Sequence, residues 1–134
     1  MADGVPLALD PMTQIQATIA VVEDDPGVRT ALQELLRSAG FEALTFGSAE
    51  EFLTSGAERR ADCLIADINL PGMSGVALLK RLASNGAALP AVLITGRDDP
   101  ATLQLIRQAG PVPRLRKPFN DDELFGAIRT ALSA

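Results

Sequence analysis

Apolar residues along this chain fall into two alternating rhythms. Five short runs, rich in β-branched and aliphatic residues, read as buried strands: residues 18–22, 41–46, 63–66, 90–94 and 112–116. Each is followed by a stretch with apolar residues three and four apart, the spacing of one helix face. After the first run come Val28, Leu32, Leu35, Leu36 and Ala39, stopped by Gly40. A short helix with Phe52 and Leu53 follows the second, and Val76, Leu78, Leu79 and Leu82 follow the third. Leu103, Ile106 and Ala109, ended by Gly110, follow the fourth; Leu124, Ile128, Ala131 and Leu132 follow the fifth.

The helix boundaries carry matching signals. Asp25-Pro26 and Asp99-Pro100 each place an acidic N-cap before a proline at the first helical position. Ser48 and Glu51 have capping-box spacing. Pro71 and Gly72 turn the chain away from the third strand, and Ser74 can cap the helix from Gly75. Asn120 caps the last helix, whose first turn holds Asp121, Asp122 and Glu123, where the helix dipole favours acids. Five strands alternating with five helices predict an α/β fold with a parallel sheet covered on both faces by right-handed crossovers.

Residues 1–17 show no clear period and contain Pro6 and Pro11, so they read as a poorly ordered N-terminal arm. Residues 18–134 then form one domain, of a size that can bury a proper core. A net charge of −5 argues against a direct nucleic-acid surface, which needs a basic patch. The one cysteine, Cys63, lies in an apolar run and reads as a buried, inert thiol. The absence of histidine removes His-based triads, His-ligated zinc and a phospho-accepting histidine. No apolar run is long enough for a bilayer, and no signal-peptide pattern opens the chain. No membrane partner is expected, and a cytoplasmic location is.

Polar residues stand where four of the strands end: Glu23 and Asp24, Asp67, Thr95, and Lys117. Ligands of open α/β sheets bind outside the carboxyl ends of the strands. If the order is flavodoxin-like, 2-1-3-4-5, the switch point between strands one and three puts Asp24 beside Asp67. Clustered carboxylates repel, and a hard divalent cation relieves that repulsion. Mg²⁺ fits, because it accepts one or two carboxylates, waters and phosphate oxygens. The Thr95 hydroxyl and Lys117 ammonium suit a phosphoryl group held above the site. Asp25 is better read as a helix cap. Singly, Asp67, Thr95 and Lys117 would be ordinary solvated strand-end residues. Together they make a phosphoryl-transfer site with a carboxylate nucleophile.

Four segments carry a resemblance: Val21 to Asp25, Asp67 to Gly75, Ile94-Thr95-Gly96 and Lys117-Pro118-Phe119. With them the chain, from about Thr18 to Leu132, resembles the receiver domain of two-component response regulators. The resemblance implies a flavodoxin-like, doubly wound five-stranded sheet in the order 2-1-3-4-5. It implies a phosphorylation switch, a signalling module and not a turnover enzyme. Asp67 would accept a phosphoryl group from a sensor histidine kinase or phosphotransfer protein. Glu23, Asp24 and Asp67 would hold Mg²⁺, with the Asn69 backbone carbonyl as a further ligand. Thr95 would be the switch hydroxyl, and Lys117 would pair with the acids and then the phosphoryl group. The Lys117-Pro118 bond is commonly cis in the family. The output would leave through the fourth helix, fifth strand and fifth helix to a downstream protein or a second copy. That face would hold Leu105, Gln108, Arg114 and Arg116, with the strand-five arginines near the acids that open the last helix.

Two residues depart from the family pattern. Glu23 stands where aspartate is commonest, and its longer arm still reaches a metal-bound water. Arg114 stands where an aromatic often turns inward, and a guanidinium cannot be buried in that way cheaply. Two other functions share this chemistry or fold. A haloacid-dehalogenase-like phosphatase also uses an Asp nucleophile, but wants a second acid two residues later, where this chain has Asn69. A flavin carrier would want a glycine- or hydroxyl-rich phosphate loop after strand one and Trp or Tyr for stacking; this chain has neither.

Overall fold

A computed structural model describes residues 17–133. The expected arm therefore lies outside the described residues, apart from Ala17. The Ala17 carbonyl accepts from the Glu42 amide at 3.0 Å, so this residue is tied to the sheet edge.

Five strands form one sheet: β1 (Thr18–Val22), β2 (Glu42–Phe46), β3 (Cys63–Asp67), β4 (Ala91–Thr95) and β5 (Arg114–Arg116). All pairings are parallel, in the order β2-β1-β3-β4-β5. The helices are α1 (Pro26–Ser38), α2 (Ala49–Ser55), α3 (Gly75–Ser84), α4 (Pro100–Ala109) and α5 (Asp121–Ser133). A 3₁₀ turn, Ala57–Arg59, follows α2. This is the flavodoxin-like doubly wound sheet that the element pattern and the resemblance imply.

The central strands are apolar on both faces because helices cover both. Ala20, Val22, Leu64, Ala66 and Leu93 pack with Phe52, Leu78 and Leu82 on one side. Ile19, Val21, Ile65, Val92 and Ile94 pack with Leu32, Leu36, Leu124 and Ile128 on the other. The alternation of neighbours in β1 and β3 between these two cores is the pleat of the strand. It also fixes register, since a slip by one residue would exchange the two faces.

The strand boundaries differ from the sequence reading by a residue or two. Phe41 is buried but outside β2; its amide donates to the Leu36 carbonyl and closes α1. Strand β5 starts only at Arg114, because Pro111 and Pro113 have no N–H for a ladder. The larger differences concern α4 and α5. Leu103 is 41% exposed and Leu132 40%, although both sit on the expected apolar faces. The buried residue of α4 is Thr102.

One backbone approach is decisive for the site. The Gly75 amide donates to the Ile68 carbonyl at 3.3 Å. A Cβ on Gly75 would collide with the Asp67 carbonyl oxygen, so α3 can start this close to the end of β3 only with glycine there.

Candidate functional site

Strand β1 ends at Val22, and the chain turns into α1 within three residues. Asp25 makes that turn possible: its Oδ1 accepts from the Gly27 amide at 2.8 Å and the Val28 amide at 3.2 Å. It is a helix cap, as its position before Pro26 suggested. Glu23 is fully buried. Its Oε2 accepts from the Asp25 amide at 3.0 Å. Asp24 is exposed, and one carboxylate oxygen each from Glu23, Asp24 and Asp67 lie within 4.8 Å of one another.

Asp67 ends β3 and is buried beneath the loop that follows. Its Oδ1 accepts from the Asn69 amide at 2.8 Å, and its Oδ2 from the Lys117 ammonium at 2.7 Å. Lys117 also reaches Glu23 Oε1 at 2.8 Å. That oxygen is buried and has no well-aligned hydrogen bond, so the ammonium is its ionic partner among the described residues. The Lys117-Pro118 peptide bond is cis.

The electrostatics follow from burial. Desolvation pushes the Glu23 carboxyl above its ordinary value, against the lowering effect of Lys117 and the Asp25 amide. Burial alone would lower Lys117, but the hydrogen bond to Asp67 and the ion pair with Glu23 outweigh it and raise the ammonium. Four carboxylates, Glu23, Asp24, Asp25 and Asp67, against the cations of Lys117 and Arg97 leave a formal excess of two negative charges around a shallow hollow of about 280 Å³, lined also by Asn69 and Gly96. An all-oxygen donor set with that charge fits a hard divalent cation. Cys63, at the opposite end of β3, is inert: burial pushes its thiol up to about 12.

Thr95 is placed differently from the other predicted residues. It ends β4, but it lines the groove between α4 and β5 together with Arg97, Leu103, Arg114 and Arg116. Its hydroxyl donates to Asn69 Oδ1 at 3.1 Å or the Arg97 carbonyl at 3.2 Å, and accepts from the Arg97 amide at 3.1 Å. The Asn69 amide nitrogen continues the chain by donating to Thr102 Oγ1 at 2.9 Å, and Thr102 donates to Asp99 Oδ1 at 2.8 Å.

Sequence reasoning missed Thr102, and it also missed Glu50. Glu50, on α2, accepts from the Met73 amide at 3.0 Å and so ties down the loop after Asp67. That amide bond draws the Glu50 carboxyl below its ordinary range. Neither residue stands at a strand end, and the contacts that tie them to the site, Thr102 to Asn69 and Glu50 to Met73, span 33 and 23 positions.

The expected output face is also rearranged. Leu105 packs against the core and Gln108 lies 3.5 Å from Lys80 of α3, so both turn toward α3. Leu103 takes the place beside the arginines. Arg116 pairs with Asp98 at 3.2 Å, not with the acids that open α5.

Comparison with known proteins gives the class. Residues 19–129 match the model of the response regulator receiver domain. The chain belongs to this family of two-component signalling domains. It is 38% identical over 122 residues to the response regulator protein TmoT of Ectopseudomonas mendocina, covering 90% of this chain and 55% of that protein. It is 41% identical over 117 residues to nodulation protein W of Bradyrhizobium diazoefficiens, covering 87% of this chain and 51% of that one. The chain thus spans about half the length of these curated relatives. Among solved structures it is similar to the response regulator StyR, with a TM-score of 0.77, 40% identity and coverage of 88% of this chain and 60% of that one. The structure named FixJ-N gives a TM-score of 0.76 and 33% identity, over 87% of this chain and 94% of that one. No helix among the described residues is long and apolar enough to cross a membrane.

Proposed function

We propose that residues 18–134 form a receiver that accepts a phosphoryl group on Asp67 in a Mg²⁺-dependent reaction. The observation that carries this reading is the placement of Asp67. Its carboxylate is buried at the floor of an acidic hollow, with Lys117 at 2.7 Å and two further carboxylates beside it. Glu23, Asp24 and Asp67 would hold the Mg²⁺, with the Asn69 backbone carbonyl as a further ligand. The ion would neutralise charge on the incoming phosphoryl oxygens.

The donor is a phosphohistidine on a sensor kinase or phosphotransfer protein. An Asp67 carboxylate oxygen attacks phosphorus. The O–P bond forms as the N–P bond breaks, the electron pair returns to the ring nitrogen, and a proton from solvent leaves the imidazole neutral. Lys117 then turns its ammonium from the free carboxylate to the acyl phosphate. An apolar groove beside the hollow, lined by Val28, Leu32, Leu35, Pro118 and Phe119, supports docking of the donor, because Lys117 and Gly96 line both. The modified domain acts on a downstream protein or on a second copy, in the cytoplasm. Asn69 in place of a second acid disfavours a phosphatase of the haloacid-dehalogenase kind.

Acetyl phosphate with Mg²⁺ should add one phosphoryl group to the parent, read by intact mass. Asp67→Asn, isosteric but unable to form the acyl phosphate, should add none. Full labelling of the variant would overturn the assignment.

A further inference from the structure

The chain of polar contacts from Thr95 to α4 has a direction, and Asp99 sets it. The Asp99 carboxylate caps α4 and is only an acceptor, so Thr102 must spend its single proton on Asp99 Oδ1, 2.8 Å away. Thr102 Oγ1 can then only accept from Asn69, which must present its amide nitrogen there, at 2.9 Å. That choice fixes the amide orientation by the network around it. Asn69 Oδ1 is left facing Thr95, whose hydroxyl must donate. The one alternative acceptor for that proton is the Arg97 carbonyl, at 3.2 Å.

Thr102 is only 1% exposed, on a helix whose other core contacts are half-buried. A hydroxyl in that position is costly unless both its donor and acceptor capacity are used. Here both are used, and the result is transmitted to the one side chain of the sequence-predicted set that does not line the acidic hollow.

We propose that Thr102 is a positioning residue: through the Asn69 amide it holds the Thr95 hydroxyl in an off position, away from the acidic hollow. This rests on the proposed phosphoryl-accepting role of Asp67. In the phosphorylated state Thr95 must turn its proton to a phosphoryl oxygen, and the bond to Asn69 is what it gives up. The strength of the Asn69–Thr102–Asp99 chain therefore sets the bias toward the off state. Loosening it favours the phosphorylated conformation.

The test is the affinity of the protein for beryllofluoride, a phosphoryl mimic, at saturating Mg²⁺. Thr102→Val removes the hydroxyl and nearly keeps the shape. Beryllofluoride should bind this variant more tightly by roughly 2- to 12-fold, the equilibrium worth of one neutral hydrogen bond. Thr102→Ser, which restores the hydroxyl, should return to the parent value, and Mg²⁺ affinity should stay unchanged. A merely structural role would lower the melting temperature of Thr102→Val and leave the beryllofluoride affinity alone. Asp99→Ala provides a second variant at a partly exposed site. It frees the Thr102 proton for Asn69 Oδ1, so the amide turns its nitrogen toward Thr95 and the Thr95 proton loses its Asn69 acceptor; tighter binding is expected here too. Equal or weaker binding by both variants would overturn the proposal. A parent protein that binds no beryllofluoride with Mg²⁺ would instead overturn the phosphoryl-accepting reading of Asp67.

Discussion

Arg116 and Lys117 are adjacent at the end of β5, yet their cations meet different surroundings. Arg116 reaches Asp98 at 3.2 Å, with the two side chains 63% and 74% exposed. Lys117 reaches Asp67 at 2.7 Å and Glu23 at 2.8 Å, and the lysine side chain is 26% exposed while both acids are nearly covered. The pleat sends one residue to the α4 groove and the next to the acidic hollow. The distances are similar, so distance does not separate the two sites. Water does: an exposed pair trades hydration for a screened attraction, whereas a covered pair must compensate for two lost hydration shells. The first kind can be rearranged at little cost. The second holds its charges in place and makes the loss of one partner expensive.

Removing Lys117 should show the largest effect of that contrast. Lys117→Met leaves Glu23 and Asp67 facing each other without a counter-charge. Loss of one partner of a buried pair costs about 3–5 kcal/mol, and the partial exposure of Lys117 brings the expectation to about 2–4 kcal/mol without metal. Glu23 offers a way out by taking up a proton, so the loss should shrink toward acid pH. Urea unfolding at neutral and mildly acidic pH, beside Arg116→Ala, measures it. Equal losses in the two variants would erase the distinction between the sites.

The two sites were also legible in the sequence to different degrees. The hollow could be read because its members stand at strand ends: Asp67 after Ala66 and Glu23 after Val22 break apolar runs, and Lys117 lies between the short fifth strand and Pro118. Topology then brings strand ends together without help from side-chain detail. Asp25 was legible for another reason, since a cap bonds amides two and three residues away. The α4 groove was not legible. Reading apolar periodicity as an inward face put Leu103 inside and left Thr102 unremarked. Thr102 points inward because its hydroxyl is used by Asn69, 33 positions away, and no local pattern encodes such a partner. The orientation of Thr95 was hidden in the same way: its place at the end of β4 follows from the strand, while its rotamer follows from Asn69 and Arg97.

Mg²⁺ should sharpen the contrast by a smaller amount, and with a defined pH dependence. Burial raises Glu23 from its ordinary value of 4.5. For a raised acid the folded state holds more protons than the unfolded chain, so its contribution to stability is complete below 4.5 and is lost as pH rises through the folded value. A bound cation favours the ionised form and offsets that loss. Stabilisation by Mg²⁺ should therefore grow with pH over the same window, following RT ln(1 + [L]/Kd), about 2.7 kcal/mol at a hundredfold excess over Kd. Asp24→Ala should remove most of it, and Arg116→Ala none. Thermal melts with and without millimolar Mg²⁺ at several pH values are the measurement, and a parent melt indifferent to Mg²⁺ would count against an ion in the hollow.

The smallest effect is expected on the exposed side, where Arg114 is the informative residue. It is exposed, and it has no ion pair among the described residues, whereas Arg97 pairs with Asp99 and Arg116 with Asp98. All three arginines line the groove that Thr95 also lines. Turning Thr95 toward a phosphoryl group would release the Arg97 amide and carbonyl, and with them the segment carrying Asp98 and Asp99. Acids would then exchange among the three guanidiniums, or be replaced by acids of another chain. Each such pair is worth less than about 1 kcal/mol and is screened within about 10 Å at ordinary salt. Association driven from this face should therefore appear with Mg²⁺ and beryllofluoride, weaken as salt rises, and weaken further in Arg114→Ala. Sedimentation of parent and variant at low and high salt reads all three effects. Equal association of both proteins at both salt levels would make Arg114 a bystander and leave the exposed leucine, Leu103, as the feature of the groove that a partner uses.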